Sequence, residues 1–188
     1  MIFFISDLHL SPRSPGATAL FLQFLAGRAR QAESLYILGD LFEAWIGDDD
    51  IDDPYNARIV AALRAASDAG LKIGFMHGNR DFLLDQRFAG ATGARLLADP
   101  FDLVLPEWNF VLSHGDALCL DDTAYQSYRA RVRSPAWQQK MLGYPRFLRR
   151  LAARWMRWRS RSHQQALANP WTDLQPAATD DCLRDHGY

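Results

Sequence analysis

Four short segments of this 188-residue chain carry side chains suited to metal or phosphate. They are Ser6-Asp7-Leu8-His9, Gly39-Asp40-Leu41-Phe42, His77-Gly78-Asn79-Arg80-Asp81 and His114-Gly115-Asp116. Each follows directly on an apolar run. Together Asp, His, Asp, Asn and His make a mixed oxygen and nitrogen donor set, which suits Mn²⁺, Fe²⁺ or Zn²⁺ better than ions that prefer thiolates. One carboxylate with ligands on either side is the layout of a two-metal hydrolase. Metals ~3.5–4 Å apart polarise a phosphoryl oxygen and generate a hydroxide nucleophile. A single segment of this kind carries little weight. Asp-x-His after a strand is ordinary, Gly-Asp at a strand end is more often a turn, and His77 before Gly-Asn also fits a turn. All four in this order, each at the end of an apolar run, point to a metal site.

Residues so far apart in sequence meet only if regular elements deliver them to one place. The runs at 2–5, 35–38, 73–76 and 111–113 are rich in β-branched and aromatic residues and read as buried strands. Apolar residues recur at helical spacing over 17–32 and over 54–69, and Gly70 follows the second stretch as a C′ glycine. The order β-α-β-α-β predicts an α/β fold with helices over a sheet. In such sheets ligand sites gather at the carboxyl ends of the strands, where all four segments fall. One or two further strands are expected near 96–105. From Asp121 onward the composition changes. Residues 121–165 hold ten arginines and Lys140 against Asp121 and Asp122 alone. They read as two or three helices, broken near Ser134-Pro135 and Gly143-Tyr144-Pro145. The expected organisation is a core over 1–120, an inserted helical cap over 121–168, and a return to the core over 169–188.

Composition bounds what such a site can serve. Apolar residues make up 48% and charged residues 23% of the chain, as in an ordinary globular domain. The net charge of −1 and pI near 6.5 exclude a globally basic nucleic-acid binder. Two cysteines, Cys119 and Cys182, form no disulfide framework, so a reducing compartment is expected. The apolar start Met1-Ile2-Phe3-Phe4-Ile5 stops at Asp7, short of the ~7–15-residue core of a secretory signal. No apolar run approaches the ~18 residues of a membrane span.

The four segments resemble the calcineurin-like metallophosphoesterase superfamily, whose pattern runs Asp-x-His, Gly-Asp, Gly-Asn-His-Asp/Glu, His, Gly-His-x-His. The chain departs at Arg80, which stands where the superfamily usually has His. That departure, in Gly78-Asn79-Arg80-Asp81-Phe82-Leu83-Leu84, resembles the UDP-2,3-diacylglucosamine diphosphatases of lipid A synthesis. Tyr36-Ile37-Leu38-Gly39-Asp40-Leu41-Phe42-Glu43-Ala44-Trp45-Ile46-Gly47-Asp48-Asp49 is similar to that family too. So is His114-Gly115-Asp116 followed by Asp121-Asp122 and Tyr125-Gln126. The resemblance implies a calcineurin-like βαβ sandwich with two divalent ions, Mn²⁺ by preference. Asp7 and His9 would ligate the first, Asp40 would bridge, and Asn79 and His114 would ligate the second. Asn79 and Arg80 would face the substrate phosphates; Arg suits this because its rigid fork pairs with phosphate oxygens and keeps its charge. Asp122, Ser160 and Gln164 would contact substrate, whereas Leu167 supplies no cation where the family often has Lys. The resemblance also implies a closing Gly-His-x-His block, with one more His for each metal and the last strands of a second sheet. The chain reaches Tyr188 without that block. The expectation is therefore a C-terminally incomplete fold, weak metal binding and little activity.

The reaction so implied is hydrolysis of UDP-2,3-diacylglucosamine to UMP and 2,3-diacylglucosamine 1-phosphate. It would be carried out by a cytoplasmic monomer, peripheral on the cytoplasmic face of a bacterial inner membrane. The arginines and tryptophans of 146–161 fit an interfacial helix at anionic lipid, or a solvated face with arginine stems lying over its own core. Leu142, Phe147, Leu148, Leu151, Trp155 and Met156 would line a chamber for the acyl chains. A single-strand nucleic-acid groove fits less well, because the rest of the chain is not basic. Two alternatives stand beside this reading: a phosphodiesterase or nucleotidase acting on another diphosphate, and a non-catalytic fragment with membrane affinity.

Overall fold

A computed structural model of the protein describes residues 1–166 and 175–187, the side chains of 158–166 excepted. It divides into two compact units, Met1–Phe101 with Leu112–His114, and Asp102–Val111 with Gly115–Tyr188.

The first unit is built on strands β1 (Ile2–Ile5), β2 (Ser34–Leu38), β3 (Lys72–Met76) and β4 (Arg95–Leu97). They form one parallel sheet in chain order. Between them run α1 (Pro15–Ala26), α2 (Pro54–Asp68) and α3 (Gln86–Thr92). Parallel neighbours need crossover connections, and right-handed crossovers between consecutive strands put successive helices on one face. The side chains agree. Phe3 of β1 meets Phe24 of α1 at 5.2 Å, and Phe75 of β3 meets Phe88 of α3 at 5.4 Å. The register aligns Leu35 with Ile73 and Ile37 with Phe75, and all four are buried. Phe4 and Tyr36 point the other way and stack at 5.5 Å, with Phe4 exposed.

The helix ends follow local chemistry. Asp53 caps α2 by accepting the Tyr55 amide at 3.1 Å, with Pro54 at the first helical position. At its far end the Leu71 amide donates to Ala66 O at 3.1 Å and the Gly70 amide to Ser67 O at 2.9 Å, a Schellman closure around Gly70 at φ 101°. The helix expected over 17–32 instead spans Pro15–Ala26 and breaks at Gly27, with a separate 3-10 turn over Arg28–Gln31. Apolar periodicity runs through that break because both pieces bury residues, Leu25 on one side and Ala29 on the other.

The fourth expected strand is displaced. β5 (Phe101–Val104) and β6 (Asn109–Leu112) form a separate two-stranded sheet, so His114 follows a strand outside the parallel sheet. Ser113, counted in the expected strand, lies past the end of β6. Its hydroxyl donates to Asp99 at 2.7 Å.

The second unit is largely helical, with α4 (Thr123–Val132), α5 (Pro135–Leu142), α6 (Arg146–Ala166) and α7 (Pro176–Asp185). Asp116 is its internal anchor. Buried, it accepts the Tyr125 hydroxyl at 2.7 Å and pairs with Arg129 at 2.9 Å and Arg133 at 3.3 Å. Gln175 bonds Asp121, and His186 lies 2.8 Å from Asp102, so α7 is tied down at both ends. Among the described residues no helix is long and apolar enough to cross a membrane.

Two glycines test this account with opposite signs. No atom would meet a Cβ at Gly70 or at Gly90, which lies within α3. Gly70→Ala, forced to a positive φ, should cost about 1–2 kcal/mol. Gly90→Ala should add about 0.5–1 kcal/mol through helix propensity. Denaturant titration of the two variants reads both.

Candidate metal centre

Because the strands are parallel, β1, β2 and β3 all end at the same sheet edge. Beyond that edge the first two loops stay paired. The Asp7 amide donates to Gly39 O at 3.2 Å, the His9 amide to Asp40 O at 3.0 Å and the Leu10 amide to Leu41 O at 2.8 Å. Asp7, His9 and Asp40 adopt φ of 56°, 46° and 55°. Positive φ costs a non-glycine residue about 1–3 kcal/mol, and such residues persist where the surroundings over-determine them. Three strained positions thus fall on three of the predicted ligands.

The third and fourth segments approach through glycine. A Cβ at Gly39, itself at φ 91°, would lie 2.6 Å from His114 Nδ1 and 2.7 Å from Gly78 Cα. A Cβ at Gly78 would overlap the amide and carboxylate of Asp40. Only two hydrogen atoms separate these loops where other residues would carry side chains.

At the centre is Asp40, 2% exposed. Its Oδ1 accepts the Arg80 amide at 2.9 Å and lies 3.8 Å from His114 Nε2. Its Oδ2 lies 3.9 Å from His9 Nδ1. Asp7, Asp40 and His114 each offer one ligand atom, all within 4.8 Å of one another. His114 is oriented from behind: Nδ1 donates to Leu38 O at 2.8 Å, which turns Nε2 towards the centre. The His114 amide donates to Asp99 at 3.3 Å, which holds the residue in place beyond β6. His9 Nδ1 is buried with no hydrogen bond among the described residues; besides Asp40, Glu43 Oε2 lies 3.9 Å from it. Arg80 Nε is likewise buried without a hydrogen-bond partner among the described residues. Asn79 is half-buried between Gly78 and Arg80.

Burial pushes the Asp40 carboxyl up, against the downward pull of His114, the Arg80 amide, His9 and the Arg80 charge. Asp81, fully buried, is pushed up to about 7, first by burial and then by the charge on Asp40. Three amides oppose this. Gly78 donates to Asp81 at 2.8 Å, Leu41 at 2.8 Å and Asp40 at 3.3 Å. A buried carboxylate flanked by imidazole nitrogens, one of them without a hydrogen bond, is a donor set that a divalent cation fits.

Asp7, His9, Asp40, Asn79, Arg80 and His114 therefore all belong to the first unit. His77 turns away and its Nε2 lies 2.7 Å from Leu84 O, a turn role rather than a ligand's. Asp122 sits in the second unit as the N-cap of α4, accepting the Tyr125 amide at 2.8 Å. Ser160 and Gln164 lie outside the described side chains, and Leu167 outside the described residues. Sequence reasoning quoted Asp81 and Glu43 without giving either a role. For Asp81 a signal was present: an acidic residue followed directly by Phe82-Leu83-Leu84 is on its way into the core and needs donors there.

No family model matches the chain. Curated relatives match nearly all of it. A UDP-2,3-diacylglucosamine hydrolase of Klebsiella pneumoniae is 48% identical over 184 residues, 97% of this chain and 76% of that protein. One from Escherichia coli K12 is 45% identical over 183 residues, again 97% and 76%. A solved Pseudomonas putida nuclease is similar with a TM-score of 0.42 and 20% identity, over 55% of this chain and 50% of that one. The relatives place the chain among hydrolases. It belongs to the UDP-2,3-diacylglucosamine hydrolase family.

Cation dependence tests the centre. In the cation-free protein Asp40 and Asp81 bind protons more readily folded than unfolded. The contribution of Asp81 to stability is therefore lost as pH rises from 3.8 through about 7, and that of Asp40 is lost in the same direction. Cation binding needs Asp40 ionised. Mn²⁺ should accordingly raise Tm more at about pH 7.5 than at about pH 5.5. Asp40→Asn should abolish that rise while leaving the cation-free protein at least as stable as wild type. Thermal melts with and without Mn²⁺ read both effects.

Proposed function

We propose that this chain hydrolyses the diphosphate of UDP-2,3-diacylglucosamine, releasing UMP and 2,3-diacylglucosamine 1-phosphate. The observation that carries the reading is the buried Asp40 carboxylate, with His9 and His114 nitrogens 3.9 and 3.8 Å away on its two oxygens. Asp7 and His9 would hold one divalent cation and Asn79 and His114 a second, with Asp40 as the carboxylate between the two sets. The donor set favours Mn²⁺ among borderline ions. When bound, such ions supply positive charge at the phosphoryl oxygens and a water of lowered pKa.

The chain's own residues set the rest of the chemistry. Water adds at the α-phosphorus, and the bridging oxygen leaves with the phosphate that carries the sugar. Arg80 meets the negative charge that builds on the diphosphate during this exchange. Its guanidinium, whose Nε has no hydrogen-bond partner among the described residues, has donors to offer a phosphate oxygen. Its backbone amide stays engaged on Asp40, which keeps the guanidinium stem beside the centre. Asp122, Ser160 and Gln164 contribute to holding the lipid nucleotide.

Access to a substrate with acyl chains calls for a lipid surface, and α6 has the features of one. Phe147, Leu151 and Trp155, spaced four apart, form an exposed apolar stripe. Arg146, Arg150 and Arg154, one position earlier in each turn, are exposed beside it. Leu142, Tyr144 and Leu148 extend the apolar area. An apolar stripe edged by arginine suits the interface of a membrane with anionic headgroups. The protein then works as a monomer, peripheral on the cytoplasmic face of the inner membrane.

Two experiments test the proposal. Arg80→Ala should lower kcat/KM for UMP release by about 100-fold or more, while Mn²⁺ affinity measured by calorimetry stays within about threefold. Equal losses in both would remove Arg80 from the phosphates and place it with the metal. Separately, the protein should sediment with vesicles containing phosphatidylglycerol. Phe147→Ser with Leu151→Ser should release it without changing Mn²⁺ affinity.

A further inference from the structure

Asp48 lies outside the metal centre, yet its carboxylate is fully occupied. Oδ1 accepts the Trp45 indole N–H at 2.9 Å and the Asp85 amide at 3.1 Å, while Oδ2 accepts the Phe88 amide at 2.8 Å. One side chain therefore ties the segment that follows β2 to the residues that begin α3. The loop that leads from β3 into α3, ending at Asp85, carries Asn79 and Arg80.

Both anchors bear on Arg80. The Trp45 amide donates to Arg80 O at 2.9 Å, and the Arg80 amide donates to Asp40 Oδ1 at 2.9 Å. The peptide groups of Arg80 are thus pinned on two sides, and one pin is Trp45. The Trp45 ring is 3% exposed and packs on Phe42 at 4.7 Å and on Phe88 at 5.3 Å. Packing fixes the plane of the ring, and the hydrogen bond to Asp48 fixes its direction along that plane. At the far end of the loop His77 holds Leu84 O at 2.7 Å. The next residue, Asp85, is the one whose amide Asp48 accepts. Asp48 therefore sets where the loop departs from its Trp45 support and where it lands on α3.

We propose that Asp48 is a positioning residue for Arg80, fixing the guanidinium against the substrate diphosphate without touching either substrate or metal. The inference rests on the reading of Arg80 as the phosphate-facing cation. The residue type supports it. Three N–H donors converge on one side chain, and only an ionised carboxylate presents two acceptor oxygens and no donor. Asparagine at this position keeps the shape but turns an NH₂ group against one of the three donors. A long side chain such as Arg80 amplifies a small shift at its backbone, and misplacement by about 1 Å is enough to cost up to a hundredfold in rate.

The test is a mutant cycle on the full chain with Mn²⁺, at a temperature where circular dichroism shows every variant folded. Asp48→Asn should lower kcat/KM for UMP release about tenfold, mostly in kcat. It should also weaken calorimetric binding of inorganic pyrophosphate severalfold, with Mn²⁺ affinity unchanged within about twofold. In an Arg80→Ala background the same substitution should change either readout less than about twofold, because its effect runs through the missing guanidinium. Trp45→Phe, which removes the indole N–H together with part of the ring's packing, should shift both readouts in the same direction. It carries the comparison if Asp48→Asn fails to fold. Equal losses from Asp48→Asn in the two backgrounds, or no loss in the wild-type background, overturn the proposal. If Arg80→Ala alone leaves kcat/KM and pyrophosphate affinity at wild-type values, the phosphate reading of Arg80 fails, and the role given to Asp48 falls with it.

Discussion

A carboxylate that is 2% exposed has given up almost all of its hydration, and isolated ions are not buried at that cost unless something compensates. Asp40 has partial compensation within the chain, from one amide hydrogen bond and from imidazole nitrogens just beyond hydrogen-bonding distance. The arrangement is electrostatically incomplete in the described residues alone, and a divalent cation would complete it. Much of the local structure can be understood as what it takes to hold Asp40 in that state. Asp7, His9 and Asp40 accept left-handed backbone conformations, Gly39 and Gly78 yield their side-chain space, and Asp81 gathers the amides of Gly78, Asp40 and Leu41. Strain of this kind survives only where packing and hydrogen bonds leave the backbone no alternative.

The fold supplies that rigidity in a direct way. Parallel strands in chain order bring the ends of β1, β2 and β3 to one edge, so three loops start side by side. The first two remain hydrogen-bonded past the strands, which carries the precision of the sheet into the loops. The aromatic group of Phe42, Trp45, Phe75 and Phe88 lies beneath them and joins β3 and α3 to the segment after β2. Geometry of this kind sits on loops braced by the framework of the core, as a site held to fractions of an ångström requires.

Much of this was legible in the sequence, and the limits follow from physics. The span of α2 could be read almost to the residue, because Asp53, Pro54 and Gly70 mark its ends by local chemistry. The helix expected over 17–32 ran too far, since apolar periodicity does not register a break at a glycine when both sides are buried. The strand expected at 111–113 was misplaced towards His114 because a short apolar run does not reveal its pairing partner, which here is β5 rather than the parallel sheet. At the centre, the spacing of the four segments pointed to residues that the fold does bring together. It did not show that His77 turns to Leu84, or that Asp81 faces three amides while Asp40 faces two imidazoles. The direction of a side chain depends on the backbone angles of its loop and on contacts tens of residues away. Asp48 illustrates the same limit, since its donors come from Trp45, Asp85 and Phe88 and nothing local distinguishes it from Asp49 or Asp50.

The most direct measurement is anomalous diffraction at the manganese edge from crystals grown with Mn²⁺. The account predicts two peaks about 3.5–4 Å apart, one on the His9 side of Asp40 and one on the His114 side. Well-ordered crystals with no peak at Asp40, or with manganese held only elsewhere on the protein, would contradict it.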